Sequence, residues 1–541
     1  MNKLLCSVAL SLTVLGTSPA VMAETPGDTL VIAREITSIA EWDPAVSQIL
    51  DTQMINLDIY QRLVGFDPQD ADELKPMIAE SWEISPDGTT ITFMIRDGLT
   101  FHSGNPVTAE DVLFSLRRLL LIGREPSSSM RQLGYTEENI DELLKAPDAR
   151  TFVMTLGETL SPSLVISMLS SASFSVVDSK LLLEHEEEGD FGTKWLSDRS
   201  GGQQSAGSGP FMIATFRPGE LVVLDRFDDF WLFEPAMKRV IFRHVPEAGT
   251  QRLMLEQGDV DVAFNLTATD AAELNEDADD GVTIEYHPSR TVNYLAFNTT
   301  MEPFDNPEVI RAMRYLVDYE GLSKTIMKDI GTIHQTFVPK GWLGSVTETP
   351  FHLDVEKAKQ ILADAGYPDG FEFDFTGYNF KPGSDIATSF QATAALAGVK
   401  VNVIPTPLSQ LIPMYRDHQL QALMLSYSGG YADPHATASK FTLNPGALPG
   451  ADREAKYPSE MTYRVGWYPE DLSVKTIEAA RELDTEKRVK MYEDLQRANW
   501  ERGPFVHLFQ YTQALGVRDN VHGYLLGARG ADVSFAAVTK D

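Results

Sequence analysis

Cysteine is almost absent from this chain of 541 residues, since Cys6 is the only one. A single cysteine cannot form an internal disulfide, and it leaves no set of thiolates for a metal site. Basic residues are also few: 45 lysines and arginines stand against 78 acidic residues, a formal net charge of −33. A surface of that sign repels phosphate backbones and anionic lipid heads, so we expect neither nucleic acid nor a membrane surface as a partner.

Long hydrophobic runs are missing except at the start of the chain. Lys3 precedes a short apolar stretch from Leu4 to Leu15, and small residues at Val21 and Ala23 precede Glu24. This is the pattern of a cleavable export signal, and about 12 apolar residues are too few to span a bilayer. We therefore expect residues 1–23 to be removed, which leaves an exported mature protein without any thiol.

Motifs of the common enzyme classes are missing as well. The ten histidines include no H-E-x-x-H pair, and His185 lies in an acidic run that is typical of a solvated face. Neither a phosphate loop nor a G-x-S-x-G elbow occurs. We predict no metal site, no cofactor and no enzymatic activity. An exported hydrolase remains the alternative of another class, because paired glycosidase carboxylates cannot be recognised among 78 acids.

Strand-like and helix-like segments alternate along the rest of the chain. Runs of β-branched and aromatic residues predict strands at 28–33, 221–226, 239–245, 260–264, 371–375, 399–404 and 421–427. Apolar spacing and capping residues predict helices at 47–63, 250–257, 306–317, 354–365 and 385–397, with Thr250 and Asp354 as N-caps. Alternation of this kind favours α/β layers, and the length calls for two or more domains.

The segment from Ala79 to Val112 carries the most specific signal in the sequence. Its blocks Ala79–Gly88, Thr92–Gly98 and Phe101–Val112 strongly resemble the signature of the family-5 (peptide/opine/nickel) solute-binding proteins of ABC importers. Further blocks are similar to that family in the expected order, at 207–219, 229–231, 256–261, 294–307 and 357–371. The signature supplies tight turns and a helix cap at Thr108, so we expect it to be structural and not ligand-binding.

The resemblance implies an α/β, two-lobed periplasmic binding protein fold of type II, in the large family-5 variant with an extra subdomain and a hinged cleft. Residues 24–60, 200–290 and 506–541 would build lobe I, residues 61–199 the extra subdomain and residues 291–505 lobe II. Hinge strands would cross near 286–293 and 504–510. It also implies a monomeric periplasmic receptor that captures a small polar solute, a short peptide first of all, and delivers it to ABC permease subunits in the inner membrane.

Most candidate ligand-binding residues follow from the same resemblance. Thr37, Ser38 and Trp42 are candidates because they lie on the loop that leaves the first strand, where short polar groups commonly meet a ligand. The strand end at 426–428 would run along the ligand backbone, where Tyr427 either walls the pocket or is a core aromatic. Lys381 would neutralise an anionic ligand group or be a solvated loop lysine. The full set is Thr37, Ser38, Trp42, Tyr378, Lys381, Ser426, Tyr427, Ser428, Gly429, Gly430, Tyr431 and Asp433, with Arg290 at the hinge as a further candidate.

One position departs from the peptide-binding members of the family. They place a carboxylate just after this strand to pair with the α-ammonium of the ligand, and Gly430 stands at that position here. A buried ammonium without a partner is costly, so we predict a ligand that lacks a free α-ammonium unless Asp433 substitutes. The Asp433-Pro434 pair is also typical of a turn. Opines, oligosaccharides and a chelated nickel ligand are therefore alternatives to peptides.

Overall fold

The computed structural model describes residues 25–541 apart from 48, 68–69, 199–204, 265, 277–280, 379–381 and 527–532. The predicted export signal, residues 1–23, lies outside the described residues. Among the helices that are described, none is both long and apolar enough to cross a membrane.

Short strands and helices alternate through the described residues from Thr29 to Ser197. The strands are β1 (Thr29–Arg34), β2 (Val64–Asp67), β3 (Asp70–Pro76), β4 (Ala79–Ile84), β5 (Thr90–Ile95), β6 (Leu144–Asp148) and β7 (Thr151–Thr155). The helices are α1 (Leu50–Ile59), α2 (Ala109–Leu121), α3 (Ser128–Gln132), α4 (Ile140–Leu143), α5 (Pro162–Leu169), α6 (Ser179–Glu184) and α7 (Thr193–Ser197). Strands β4, β5, β7 and β6 form a separate four-stranded antiparallel sheet, which belongs to the predicted extra subdomain.

The remaining elements begin near residue 211. The strands are β8 (Phe211–Arg217), β9 (Leu221–Arg226), β10 (Arg239–His244), β11 (Val262–Ala263), β12 (Val282–Phe297), β13 (Gly331–Ile333), β14 (Glu372–Tyr378), β15 (Lys400–Thr406), β16 (Ala422–Ser428), β17 (Phe505–Arg518), β18 (Val521–His522), β19 (Leu525–Leu526), β20 (Val533–Ser534) and β21 (Thr539–Lys540). The helices are α8 (Ala248–Glu256), α9 (Ala268–Glu276), α10 (Pro307–Arg314), α11 (Tyr319–Lys324), α12 (Val355–Asp364), α13 (Gly383–Ala395), α14 (Leu408–Arg416), α15 (His435–Phe441), α16 (Met461–Arg464), α17 (Glu470–Arg481) and α18 (Thr485–Arg502).

Local sequence signals account for most of these boundaries. Asp354 caps α12 through its side chain, as predicted, and Asn306 caps α10 in the same way. Thr108 forms a capping box with Asp111 at the start of α2. The predicted cap at Thr250 is wrong, because α8 begins at Ala248 after Glu247, whose extended backbone ends the preceding segment. Helix α1 is also shorter than the predicted span 47–63.

One mixed sheet runs through both halves of the molecule. Its strand order is β15-β14-β16-β12-β17-β11-β1-β10-β9-β8, with β13 paired to β17. Strand β1 lies between β10 and β11 and is parallel to both. The predicted neighbours at 221–226 and 239–245 form the antiparallel pair β9 and β10. Parallel pairs with helical crossovers and antiparallel pairs therefore share a single sheet.

Strands β12 and β17 join the two halves of this sheet. They pair antiparallel from Val282 with Arg518 to Ala296 with Phe505, and the register shifts between Pro288 and Val292. One end of β17 pairs with β11, and the opposite end of β12 pairs with β16. The irregular register lies within the region where the resemblance places the hinge.

Three large apolar clusters form the core. One cluster contains Leu30 and Ile32 of β1 and Phe242 of β10. It also includes Val177 and Leu196, which follow the four-stranded sheet in the sequence. A second surrounds helices α10 to α13. The largest is shared by the four-stranded subdomain and the segments from residue 294 to 505. The subdomain therefore packs against the half of the chain to which it is not adjacent in sequence.

The C-terminal residues return to the beginning of the described chain. The Lys540 ammonium lies 3.0 Å from the Asp261 carboxylate and donates to the Thr29 carbonyl at 2.9 Å. Asp261 also accepts from the Val31 amide at 2.7 Å, and both charged groups are buried. This pair connects β21 to the central strand β1.

The signature block after β5 makes structural contacts. The imidazole of His102 lies 2.6 Å from the Ser205 hydroxyl and 2.9 Å from the Gly209 carbonyl oxygen. A Cβ on Gly207 would stand 2.1 Å from the carbonyl oxygen of Ile59, so only glycine permits this close approach to the end of α1. The segment 205–209 therefore lies between the signature block and the end of α1 and contacts both.

Candidate functional site

A cavity lies where α1, the subdomain, the irregular part of β12 and the segment after β16 meet. Helix α1 contributes Gln53 and Leu57 to its wall. The subdomain contributes Phe66 and the stretch 170–172. The cavity has room for about a single water molecule, with a volume near 20 Å³. In this conformation the cavity is too small for a molecule of dipeptide size.

The wall opposite α1 consists of Arg290, Gly430 and Ala432. Arg290 lies in the part of β12 where the register with β17 shifts. Ser289 holds this irregular stretch, because its carbonyl oxygen accepts from the Gln510 side chain at 2.8 Å and its hydroxyl accepts from the Thr291 amide at 2.9 Å. Irregularities of this kind are frequent beside functional sites because they redirect a side chain. Two residues of the predicted set, Arg290 and Gly430, are thus brought together.

The end of β16 offers its main chain on one side. Its residues 422–428 pair with β12 along their full length. Strand β14 pairs with it only at Ala422 and Leu423. Beyond Leu423, no described strand pairs with that edge of β16. The backbone at Ser426–Ser428 therefore lies on a strand edge that an extended ligand can pair with.

Tyr427 is directed into the second half of the molecule. Its hydroxyl donates to the Ala436 carbonyl at 3.2 Å, and its ring meets Phe441 edge-on with 5.8 Å between centroids. Burial raises the pKa of the Tyr427 phenol, so it stays protonated at neutral pH. These contacts are those of a core aromatic, and Tyr427 does not belong to the described wall of the cavity.

The two glycines after β16 differ in their surroundings. A Cβ on Gly429 would lie 2.9 Å from the Trp342 ring and 3.1 Å from Ala436. A Cβ on Gly430 would meet nothing within 4 Å. Gly429 is therefore needed for close packing, whereas Gly430 faces open space that a side chain can occupy.

This contrast predicts different effects for the two alanine substitutions. Gly429→Ala should lower the free energy of unfolding by about 1–3 kcal/mol, because the added methyl has to displace Trp342 or Ala436. Gly430→Ala should leave it unchanged to within about 1 kcal/mol. Urea unfolding followed by tryptophan fluorescence measures both. Equal losses in the two variants would contradict the packing described here.

The Asp433 carboxylate is buried and is fully engaged by other groups. The two guanidinium nitrogens of Arg488 donate to its two oxygens at 2.6 and 2.8 Å. The same carboxylate accepts from the amide of His435, the first residue of α15, at 2.9 Å. Its role in the structure is to hold the turn after β16, and in this conformation it is not available as a partner for a ligand ammonium.

Polar and aromatic groups surround this ion pair. The Tyr492 hydroxyl lies 3.0 Å from Nδ1 of His435 and accepts from Arg488 at 3.4 Å. Burial lowers the pKa of His435 to about 4, so the imidazole is neutral at neutral pH. Arg488 also reaches Ser163 of α5 at 3.5 Å. The pair therefore lies beside the contact between the subdomain and the second half of the chain.

The remaining predicted residues lie away from the cavity wall or outside the residues that the structure describes. The Trp42 ring is 1% exposed and packs edge-on against Phe216, with 5.1 Å between centroids. Thr37 is hydrogen bonded to Glu35, and Ser38 donates to Asp51 at 2.8 Å on the surface. None of these three belongs to the described wall of the cavity.

The loop after β14 and Tyr431 complete the set. Lys381 and the side chain of Tyr378 lie outside the described residues. Tyr431 is buried, and its hydroxyl donates to Gln132 of the subdomain at 3.4 Å. Tyr431 thus contacts the subdomain beside the cavity.

Several residues of the cavity wall were not singled out from the sequence. Helix α1 contributes Gln53 and Leu57. Two separate parts of the subdomain contribute Phe66 and residues 170–172. Each is an ordinary helix, strand or loop residue in its local sequence. Only the tertiary packing brings them to Arg290 and Gly430.

Among the described residues, no group of three or more His, Cys, Asp or Glu side chains is arranged to hold a metal ion. His185, the histidine of the acidic run, stacks its ring on Trp195 with 4.5 Å between the ring centroids. Its acidic neighbours are exposed to solvent.

Comparison with known proteins shows the family. The family of bacterial extracellular solute-binding proteins, family 5 Middle, matches residues 73–448, and the chain belongs to it. Heme-binding protein A of Haemophilus influenzae is 27% identical and covers 89% of this chain and 87% of its own length. The probable D,D-dipeptide-binding periplasmic protein DdpA of Escherichia coli (strain K12) is also 27% identical, with 94% and 93% covered.

The fold is that of a solved structure in the same class. HbpA2 from Haemophilus parasuis superposes with a TM-score of 0.76 at 23% identity, covering 95% of this chain and all of that one. The protein therefore has the two-lobed α/β fold of family-5 binding proteins. The relatives with which it shares most of its length are named as binding proteins and not as enzymes.

Proposed function

We propose that this protein is an exported, periplasmic solute receptor that captures a small polar compound, a short peptide or a peptide-like molecule, and delivers it to the permease of an ABC importer. The observation that carries this proposal is the composition of the cavity wall, in which α1 and the subdomain face β12 and the segment after β16. Such a site is completed only when the two sides come together.

Closure would take place about β12 and β17, the long strands that run between the two halves. A ligand that touches both walls stabilises the closed arrangement relative to the open one by its differential binding free energy. No bond in the solute needs to change for this to occur. The permease would then recognise the closed receptor.

Contacts between the subdomain and the second half of the chain support a closed arrangement of these walls. The Ser161 amide at the start of α5 donates to the Ala480 carbonyl of α17 at 2.7 Å. The Glu158 carboxylate and the Arg481 guanidinium lie 3.0 Å apart across the same boundary. The Ser161 and Ala480 residues are buried, the Glu158–Arg481 pair is about half exposed, and both contacts lie on the boundary across which the largest apolar cluster is shared.

The open edge of β16 supports a peptide-like ligand. An extended peptide would extend the sheet by pairing with the backbone at 426–428, and side chains would then alternate between the two sides of the cleft. Opines, oligosaccharides and a chelated nickel compound are the other solutes to be tested. A monomer is expected for the receptor itself.

Small-angle scattering combined with calorimetry tests the proposal. The mature chain, residues 24–541, should bind a solute at one equivalent, and its radius of gyration should fall when that solute is added. Native mass spectrometry of the protein as purified identifies a retained solute for this experiment. Scattering that is unchanged by a broad panel of nutrients would contradict the receptor function, and turnover of a solute at catalytic amounts of protein would favour the hydrolase alternative.

A further inference from the structure

We propose that Gln510 is a positioning residue for the solute-binding wall, because its side chain ties the irregular part of β12 to the loop that supports the turn after β16. Gln510 lies on β17, is 4% exposed and does not belong to the described wall of the cavity. The inference rests on the proposed receptor function and concerns how the wall opposite α1 keeps its shape.

The carboxamide of Gln510 joins two segments that are distant from each other in the sequence. Its nitrogen donates to the Ser289 carbonyl at 2.8 Å, and its oxygen accepts from the Lys340 amide at 2.6 Å. Ser289 precedes the wall residue Arg290, in the stretch where the pairing of β12 with β17 shifts. A carboxamide offers a donor and an acceptor at once, whereas a carboxylate only accepts and an aliphatic side chain does neither.

The backbone of Gln510 is itself held on two sides. It pairs with Val292 of β12 and with Thr332 of β13. Next to it, the Phe509 amide donates to the side chain of Asn293 at 2.9 Å, at the second shift in the register between β12 and β17. The carboxamide therefore extends from a strand position that is fixed between two neighbouring strands.

The loop that contains Lys340 reaches the other part of the wall. The Trp342 amide donates to the Pro339 carbonyl at 3.2 Å and closes a turn in this loop. The buried Trp342 ring packs on Gly429, where an added Cβ would stand 2.9 Å from the ring. Gly429 is followed by the wall residue Gly430. Because such packing leaves little free space, a shift of this loop would move the turn after β16.

Direct contacts between β12 and β16 complete the arrangement. Thr291 pairs with Ser428, and their hydroxyl oxygens lie 2.5 Å apart. The Thr291 amide in turn donates to the Ser289 hydroxyl at 2.9 Å. The contacts thus form a closed ring that contains both parts of the wall, and the carboxamide of Gln510 makes two consecutive links of it.

Gln510→Met and Gln335→Met form the test and its matched control. Gln335 is 2% exposed, and its carboxamide also binds one backbone carbonyl and one backbone amide, both of Phe351, at 2.7 and 2.9 Å. Phe351 is not among the described residues of the cavity wall. Each variant removes two hydrogen bonds of a buried side chain, so we expect the melting temperature to fall by a similar amount in both.

Hydrogen-deuterium exchange of the mature protein, followed by mass spectrometry, separates positioning from a general loss of stability. In Gln510→Met, exchange should rise by about tenfold over wild type in residues 289–293 and also in residues 428–432. In Gln335→Met, neither segment should change by more than about twofold. An increase that is absent, that is confined to residues 289–293, or that is equal in the control variant would overturn the inference.

Gln510→Glu is the second variant and applies also if Gln510→Met does not fold. At neutral pH its carboxylate can accept from the Lys340 amide but cannot donate to the Ser289 carbonyl. Exchange should therefore rise in residues 289–293 and stay within about twofold of wild type in residues 338–342. The opposite pattern would contradict the two links assigned to this side chain.

Titration calorimetry with dialanine and with N-acetyl-dialanine measures the consequence for binding. For a probe that wild type binds, Gln510→Met should raise Kd by about tenfold, and Gln335→Met should leave it unchanged. An unchanged Kd in Gln510→Met would overturn the inference and leave the receptor function intact. If wild type binds neither probe and retains no solute through purification, the receptor function fails, and the exchange experiment still decides whether Gln510 positions both segments.

Discussion

Replacing Asp433 by alanine is expected to lower the free energy of unfolding by about 3–5 kcal/mol. The substitution leaves the guanidinium of Arg488 buried without its carboxylate partner. It also removes the oxygen that accepts a hydrogen bond from the His435 amide at the start of α15. Guanidinium chloride unfolding, followed by far-ultraviolet circular dichroism, measures the loss.

Two control variants define the origin of this loss. Glu372→Ala breaks an exposed pair with Lys400 and should cost less than about 1 kcal/mol. The double variant Asp433→Ala with Arg488→Met should recover part of the stability of Asp433→Ala, since no buried charge is left unpaired. If Asp433→Ala is as stable as Glu372→Ala, the buried pair of Asp433 and Arg488 does not contribute substantially to the free energy of unfolding.

Asp58→Asn is expected to make the protein more stable than wild type at pH 8 by about 4 kcal/mol. Asp58 is buried in α1, and burial raises its pKa from 3.8 to about 7 although Ser534 donates to one carboxylate oxygen. Because the folded pKa is raised, the stabilising contribution of the protonated acid is fully present below pH 3.8. It is lost as the pH rises through 7.

The pH dependence distinguishes this effect from an ordinary packing change. The difference between Asp58→Asn and wild type should shrink to about 2 kcal/mol or less at pH 5, where the acid is protonated in the folded protein. Asparagine can keep the hydrogen bonds that the carboxylate accepts from Ser534 and from the Phe535 amide. A difference that stays constant between pH 5 and pH 8 would contradict the raised pKa.

Much of the fold could be predicted from local signals. The strands at 221–226 and 239–245 and the helices that follow Asn306 and Asp354 are found where β-branched runs and capping side chains place them. Such signals act within a few residues and do not depend on the rest of the chain. The wrong prediction at Thr250 shows the limit of local signals. Several residues near the start of a helix can serve as its cap, and here the helix begins directly after the extended backbone of Glu247.

The cavity could be predicted only in part. Gly430 and Arg290 were identified through the family resemblance, and both line it. Trp42 was also a candidate, but it does not belong to the described wall of the cavity. An aromatic residue next to a loop can fill the core as readily as a binding site, and this one packs against Phe216. The partner of Asp433 is 55 residues away on α18, and no local pattern reveals such a pair.

The buried pair of Lys540 and Asp261 makes an early strand of the large sheet dependent on a residue that lies far from it in the sequence. The Lys540 ammonium is the counterion of Asp261, and the Asp261 carboxylate also accepts from the Val31 amide in β1. Without Lys540, this carboxylate would stay buried without a partner charge, which is strongly destabilising. The charge balance beside β1 therefore depends on the far end of the described chain.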